Sequence, residues 1–229
     1  MDDVSLRTLR KTALLIDFDN TITCGDVLGS VLENFSPTDR WLEWETAWRD
    51  NEISTLECLR LQIGELRVDE RTLLEFVRRT PIDPDFVSLQ NWARATGTAL
   101  AIASDNFDVI VRAVLERHAV AAPSIFANVL AFEDGRLVPS FPHRSPSCAR
   151  CANCKATHFA RFAGAHIIYV GDGLSDICPA MRADQVFAKD DLADYLAAQG
   201  RPFTAFRNLG DVVRSLSASG QQRLRPVHS

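Results

Sequence analysis

Long hydrophobic runs are missing from this 229-residue chain. No stretch approaches the roughly 20 apolar residues that cross a bilayer, so no membrane partner is expected. The opening MDDVSLRTLRKT carries no apolar h-region, and the expectation is a soluble, cytoplasmic protein. Basic runs and aromatic-basic interleaving are also missing, and the net charge is a mild −5. No nucleic acid partner is expected on that basis. Six cysteines are too few to staple a scaffold of this length; in a reducing compartment their clustering points to a metal or to free thiols. No internal repeat is present. With 46% of its residues hydrophobic, the chain can bury one full core and keep residues over for a smaller appendage, as a monomer or a homodimer.

Three short apolar runs share one grammar. ALLIDFD from Ala13, ALAIASDN from Ala99 and HIIYVGDG from His166 each end in polar or acidic residues and each lead into a helix-like segment. Continuous apolar runs of this kind read as strands buried on both faces of a parallel sheet, with QVFA at Gln185–Ala188 as a weaker fourth. The class is α/β, and in such sheets ligands gather outside the carboxyl ends of the strands. Between the first two runs, RWLEWETAWRDN, STLECLRLQIGEL and DERTLLEFVRRT repeat apolar residues at three-to-four spacing, with Ser54 and Asp69 as N-cap candidates. These predict a helical cap over 23–84, ended by TPIDPD, inserted into a core of 1–22 and 85–216. IFANVLAFEDGRLVPSFP predicts a hairpin around Glu133-Asp134-Gly135. The polar stretch 217–229 predicts a flexible tail.

The strand ends carry the chemistry. Asp17 and Asp19 lie two apart and face the same side of an extended chain, although a solvated loop pair or a helix cap would read the same way on spacing alone. Ser104 ends the second run before FDVIVRAVLERH, whose first amides favour an anion. Asp172 and Asp176 follow the third run in GDGLSD, and Lys155 precedes a helix in CKATHFARF.

DFDNT, Ser104, Lys155 and GDGLSD, in that order with a helical insertion after the first, resemble the haloacid dehalogenase-like phosphohydrolases with a helical cap, in the phosphoserine phosphatase-like branch. The resemblance implies a Rossmann-like parallel-sheet core and an Mg²⁺-dependent phosphatase for a small phosphorylated metabolite. It implies Asp17 as nucleophile forming an aspartyl-phosphate and Asp19 as general acid and then base. Lys155 neutralises the phosphoryl group, which hydrogen-bonds Ser104 with Thr21 or Asn20. Mg²⁺ is held by Asp17, the Asp19 carbonyl and Asp172, with Asp176 holding a metal-bound water or orienting Lys155. Cations are needed on electrostatic grounds, since a carboxylate and a phosphate dianion about 4 Å apart repel by about 8 kcal/mol at an effective dielectric of ~20.

Substrate choice falls to the cap. Asp26 stands where phosphoserine phosphatases meet the substrate amine, and it reads equally as a helix cap. Asp105 and Asn106 follow Ser104 where those enzymes carry glycines, which argues against phosphoserine itself. Trp41, Trp44 and Trp48 share a helical face, either an aromatic wall for a cationic substrate or simple cap core. FPHRSPSCARCANCK and VFAKDDLADYLAAQG resemble the methionine-salvage branch acting on 2-hydroxy-3-keto-5-methylthiopentenyl-1-phosphate. Phosphocholine, phosphoethanolamine, pyridoxal phosphate and phosphoserine-like substrates stay open, as does phosphoryl transfer to an alcohol. Cys148, Cys151 and Cys154 recur every three residues and could hold structural Zn²⁺ with His143 or His158 as fourth ligand, or be free thiols shaping the loop before Lys155. Cys58 and Cys178 read as buried apolar positions.

Overall fold

The computed structural model describes residues 11–223. Strand β1 (Thr12–Ile16) lies in the middle of a seven-stranded sheet. Its neighbours are β2 (Ala99–Phe107) and β5 (His166–Gly171), both parallel to it, with Leu14 level with Leu100 and Ile168. Strand β6 (Gln185–Ala188) and the two-residue β7 (Thr204–Ala205) continue beyond β5. On the other side β3 (Ser124–Glu133) pairs with β2, and β4 (Arg136–Ser140) closes that edge antiparallel to β3. The predicted hairpin is this β3–β4 pair. Glu133 faces Arg136 across Asp134 and Gly135, whose φ values of 48° and 75° are those of a two-residue turn that suits Asp-Gly.

Alternation along β1 divides the core. Leu14 and Ile16 face helices α5 (Phe86–Thr96), α6 (Asp108–Arg117) and α9 (Leu209–Arg223) through Phe86, Leu89, Ile110, Val114 and Val212. Ala13 and Leu15 face the opposite layer, with Ala180 of α7 (Ile177–Ala180) and Leu192 and Leu196 of α8 (Asp190–Ala198). Burial on both sides explains a run with no polar interruption, each large side chain contributing roughly 1.5–3 kcal/mol. Helix α9 continues to Arg223, so the first part of the expected flexible tail is helical, with Leu216 anchoring its approach to the core.

Between β1 and α5 lie α1 (Val27–Phe35), α2 (Arg40–Arg49), α3 (Thr55–Glu65) and α4 (Glu70–Val77). Ser54 and Asp69 cap α3 and α4 through the amides of Glu57 (3.1 Å) and Thr72 (2.8 Å). The chain leaves and re-enters the sheet side by side, where Thr23 and Ile82 form an isolated antiparallel bridge. Buried Asp83, just after it, accepts from the amides of Asp85 and Leu209, both at 2.8 Å. It ties the returning chain to the start of α9. Asp83→Ala should cost about 2–3 kcal/mol, because one buried and one part-buried amide lose their acceptor. Urea unfolding measures this, and a change below about 0.5 kcal/mol would remove Asp83 from that role.

Candidate active site

The strand ends meet as the α/β topology requires. Asp17 follows β1, with its amide donating to Val170 of β5 at 2.9 Å. Three residues on, Asn20 adopts φ 53°, a left-handed conformation that asparagine tolerates, and turns the chain away from the sheet. Strand β2 slips its register against β3 between Ala103 and Phe107, a bulge that turns out Asp105 and Asn106.

At the centre is a buried ammonium. Lys155, 2% exposed, places Nζ 2.9 Å from Asp17, 2.6 Å from Asp176 and 2.9 Å from the Ser175 hydroxyl. Burial alone would lower Lys155, but Asp17, Asp176 and Asp105 more than reverse this and hold it above the usual lysine range. Asp176 is saturated. Its Oδ1 accepts from Lys155 and from the Tyr169 hydroxyl at 2.5 Å, and its Oδ2 accepts from the amides of Asp172 and Gly173. Burial raises Asp17 well above the carboxylate range, with Asp176 adding repulsion. Asp172 is pushed to about 7 by burial and by Asp176.

Asp19 is held from two sides. The Val27 amide at the start of α1 donates to it at 2.9 Å, and the Asn106 amide group donates to both of its oxygens at 3.1 Å. Burial and the Asp26 charge raise it to about 7 despite those bonds. Asp26 caps α1 through the Gly29 amide and also lines the cavity.

That cavity, about 330 Å³, lies between the strand ends and the inserted helices. Asp17, Asp19, Asn20, Asp105, Asn106 and Asp172 line its floor; Leu28, Leu32, Trp41, Glu45, Trp48, Cys58, Leu59 and Gln62 line its walls. Thr21 donates its hydroxyl to Asp172 at 2.6 Å. Ser104 is fully buried below the cavity and accepts from the Asn106 amide. Trp44 does not line the cavity; Arg40 lies over its ring, so the tryptophan face is divided. The cysteines converge with their sulfurs within 4.8 Å of one another, but the His143 ring is not gathered with them. It stands edge-on to Phe126 and His158, and His158 is bonded to Asn153 Oδ1 at 2.8 Å.

Several residues were not foreseen from sequence. Buried Asn153 donates to the Ser104 and Phe126 carbonyls, and its amide donates to Asp105, locking the loop before Lys155 onto β2 and β3. Tyr169 was hidden in an apolar run, although a hydroxyl in a buried strand demands a partner and could have been flagged. Glu45 accepts from Gln62 at 3.2 Å and is raised by burial; helical spacing gives no hint that this pair faces a cavity.

A parallel sheet with an acidic strand end, a buried lysine and an inserted helical layer defines a haloacid dehalogenase-like phosphatase, a phosphoric monoester hydrolase acting on a small phosphorylated substrate. The chain belongs to the family whose model is described as "Putative Phosphatase", which matches residues 12–195. It is 29% identical over 225 residues to the 2-hydroxy-3-keto-5-methylthiopentenyl-1-phosphate phosphatase of Brevibacillus brevis, covering 93% of this chain and 98% of that one. With the enzyme of the same name from Exiguobacterium sibiricum the figures are 27%, 90% and 96%. Among solved structures, a phospho-aspartyl intermediate analogue of phosphoserine phosphatase superposes with a TM-score of 0.70 at 17% identity, covering 90% of this chain and 99% of that one. Phosphoserine phosphatase from T. onnurineus gives 0.68 at 21% identity, with 93% and 96% covered. These structures share the fold.

Gly171 supplies a test of the clamp. A Cβ there would overlap the Asp176 carboxylate, which sits against the strand backbone. Gly171→Ala should displace Asp176 and with it Lys155, lowering kcat/KM for an aryl phosphate roughly 10²-fold while circular dichroism is unchanged. Full activity would mean that Asp176 does not position the lysine.

Proposed function

We propose that the chain hydrolyses its substrate through an aspartyl-phosphate on Asp17. The observation that carries this reading is the Asp17–Lys155–Asp176 clamp at the cavity floor beside a separately held Asp19 with its proton affinity near neutrality. An Asp17 oxygen attacks phosphorus as the ester P–O bond breaks, and Asp19 passes its proton to the departing alkoxide. Asp19, now ionised, takes a proton from the water that attacks the phosphoenzyme; phosphate leaves and Asp17 is restored. Lys155 offsets charge on the phosphoryl oxygens throughout. Asn20, Asp105 and Asn106 border the phosphoryl position, the last also fixing Asp19.

The site suits a hard cation. Carboxylate oxygens of Asp17, Asp172 and Asp176 lie within 4.8 Å of one another, and one ammonium cannot balance them. Since Asp176 is saturated, Asp17, Asp172 and the Asp19 carbonyl would hold Mg²⁺, with Asp176 serving to orient Lys155. That ion would keep Asp17 ionised and draw charge from the phosphoryl oxygens. The thiols offer no matching closed set for Zn²⁺, because His143 supplies no fourth ligand.

Residues 23–84 act as the cap, hinged at the Thr23–Ile82 bridge, and the described part of the core comprises 11–22 and 85–216, residues 1–10 lying outside the described residues. Leu28, Leu32, Trp41 and Leu59 suit an uncharged thioether chain, and Glu45, Gln62 and Asp26 suit hydroxyl and keto groups. This favours 2-hydroxy-3-keto-5-methylthiopentenyl-1-phosphate, the substrate named for the curated relatives. A substrate carboxylate is disfavoured: Arg49 is the one cation among the described residues lining the walls, and Asp191 already holds it at 2.7 Å. The second reading is a phosphorylated ammonium compound, favoured by Glu45 between Trp41 and Trp48.

Asp17→Asn should lower turnover of an aryl phosphate by roughly 10³-fold or more, and acid-quenched wild type should carry labelled phosphate on the Asp17 peptide. Undiminished activity in the variant, or turnover insensitive to a Mg²⁺ chelator, would refute the mechanism. Across a panel, kcat/KM for the thioether substrate should exceed that for phosphoserine by about 10²-fold or more. A preference for phosphocholine would select the second reading, and a phosphorylated alcohol acceptor in place of free phosphate would make the enzyme a transferase.

A further inference from the structure

The loop from Phe141 to Cys154 joins three features that catalysis does not require. First, the sulfurs of Cys148, Cys151 and Cys154 lie within 4.8 Å of one another, and the Cys151 amide donates to the Cys148 sulfur at 3.4 Å. Cys148 and Cys151 are partly exposed while Cys154 is buried. Second, Arg150, between the first two cysteines, holds the α2–α3 connection. Its guanidinium donates to the carbonyls of Trp48 (2.9 Å) and Ile53 (3.5 Å), and its own carbonyl accepts from Thr55 at 3.0 Å. Third, the same loop ends at Asn153 and Lys155. A change in the Cys148–Cys151 turn therefore reaches the cavity wall at Trp48 through one residue.

We propose that Cys148 and Cys151 form a reversible dithiol–disulfide pair, oxidised by hydrogen peroxide, that controls how firmly the inserted helices are docked through Arg150. The two thiols have the usual asymmetry of such a pair. Burial would raise Cys148, but hydrogen bonds from the Cys151 and Arg150 amides more than offset it and hold it below the ordinary thiol value, whereas burial raises Cys151. In the reaction the Cys148 thiolate attacks one peroxide oxygen; the S–O bond forms, the O–O bond breaks, and hydroxide leaves as water after taking up the proton that Cys148 released. The Cys151 sulfur then attacks the Cys148 sulfenic acid; the S–S bond forms, the S–O bond breaks, and the Cys151 proton leaves in a second water. Two thiols are oxidised by two electrons and one peroxide is reduced to two waters. A dithiol reverses it. The linked turn contains Ala149 and Arg150 and tightens about them, drawing the guanidinium from Trp48 and Ile53.

Trypsin supplies a direct readout, because it cuts after Arg144, Arg150 and Lys155. SPSCAR and CANCK stay joined only when Cys148 is bonded to the second peptide. Treating the purified protein with hydrogen peroxide alone should lower its thiols from six to four, join those two peptides, and still join them in Cys154→Ser. kcat/KM on the best panel substrate should fall roughly tenfold, about 1.4 kcal/mol of docking, and recover with dithiothreitol. Cys148→Ser should keep basal activity and lose the peroxide effect; should it fold poorly, the thiol count and peptide link in wild type decide alone. Separate peptides, six remaining thiols, or equal inhibition of Cys148→Ser would overturn the proposal. So would zinc bound to the isolated protein that shields the thiols until it is chelated.

Discussion

One buried ion cluster dictates the rest: the Lys155 ammonium between the Asp17 and Asp176 carboxylates, with all three groups almost out of water. An isolated charge at such depth costs several kcal/mol or more, so each partner must be present and fully hydrogen-bonded. The Tyr169 hydroxyl, the Ser175 hydroxyl and the amides of Asp172 and Gly173 meet that demand. Gly171 leaves room for it and Asn153 fixes the loop that delivers the lysine. The carboxylates outnumber the ammonium, which is why the proposed mechanism places a cation beside them.

Much of this was legible in the sequence for a simple reason. Strands buried on both faces are written as uninterrupted apolar runs, so Leu14–Ile16, Ile167–Val170 and Val186–Ala188 announce themselves, and a parallel sheet then forces their polar ends together. Ser54 and Asp69 were legible because capping is local. Contacts made at long range were not. Thr21 meets Asp172 across 151 positions, and nothing near Thr21 announces that bond. Asn153 and Tyr169 act through partners on other elements, and the Glu45–Gln62 pair needs two helices packed at one angle. Trp44 shares its helix with Trp41 and Trp48 yet turns to Arg40, because three-to-four spacing covers an arc wider than the cavity wall.

Chemistry and selectivity are thereby separated in space. The floor is built from strand ends and the walls come from α1, α2 and α3; in the proposed mechanism the floor acts on phosphorus and the walls meet the remainder of the substrate. The two halves touch at few polar points. Val27 fixes Asp19 from the first inserted helix, Arg49 reaches Asp191 across the mouth, and Arg150 grips the α2–α3 connection from the loop before Lys155. Substitutions in the walls can therefore redirect the enzyme without disturbing the ion cluster beneath.

The central claim is that the Lys155 ammonium compensates the buried carboxylates it touches, and its most direct test is the pH dependence of stability in Lys155→Met with divalent metal removed. Lys155 is the charge that lowers Asp17, so without it the folded-state proton affinity of Asp17 rises further above the unfolded one, and stability is retained at low pH and lost as pH rises. Urea unfolding should find the variant about 3–5 kcal/mol less stable than wild type near pH 8, with part of the loss recovered near pH 5. A loss below about 1 kcal/mol, equal at both pH values, would contradict the account.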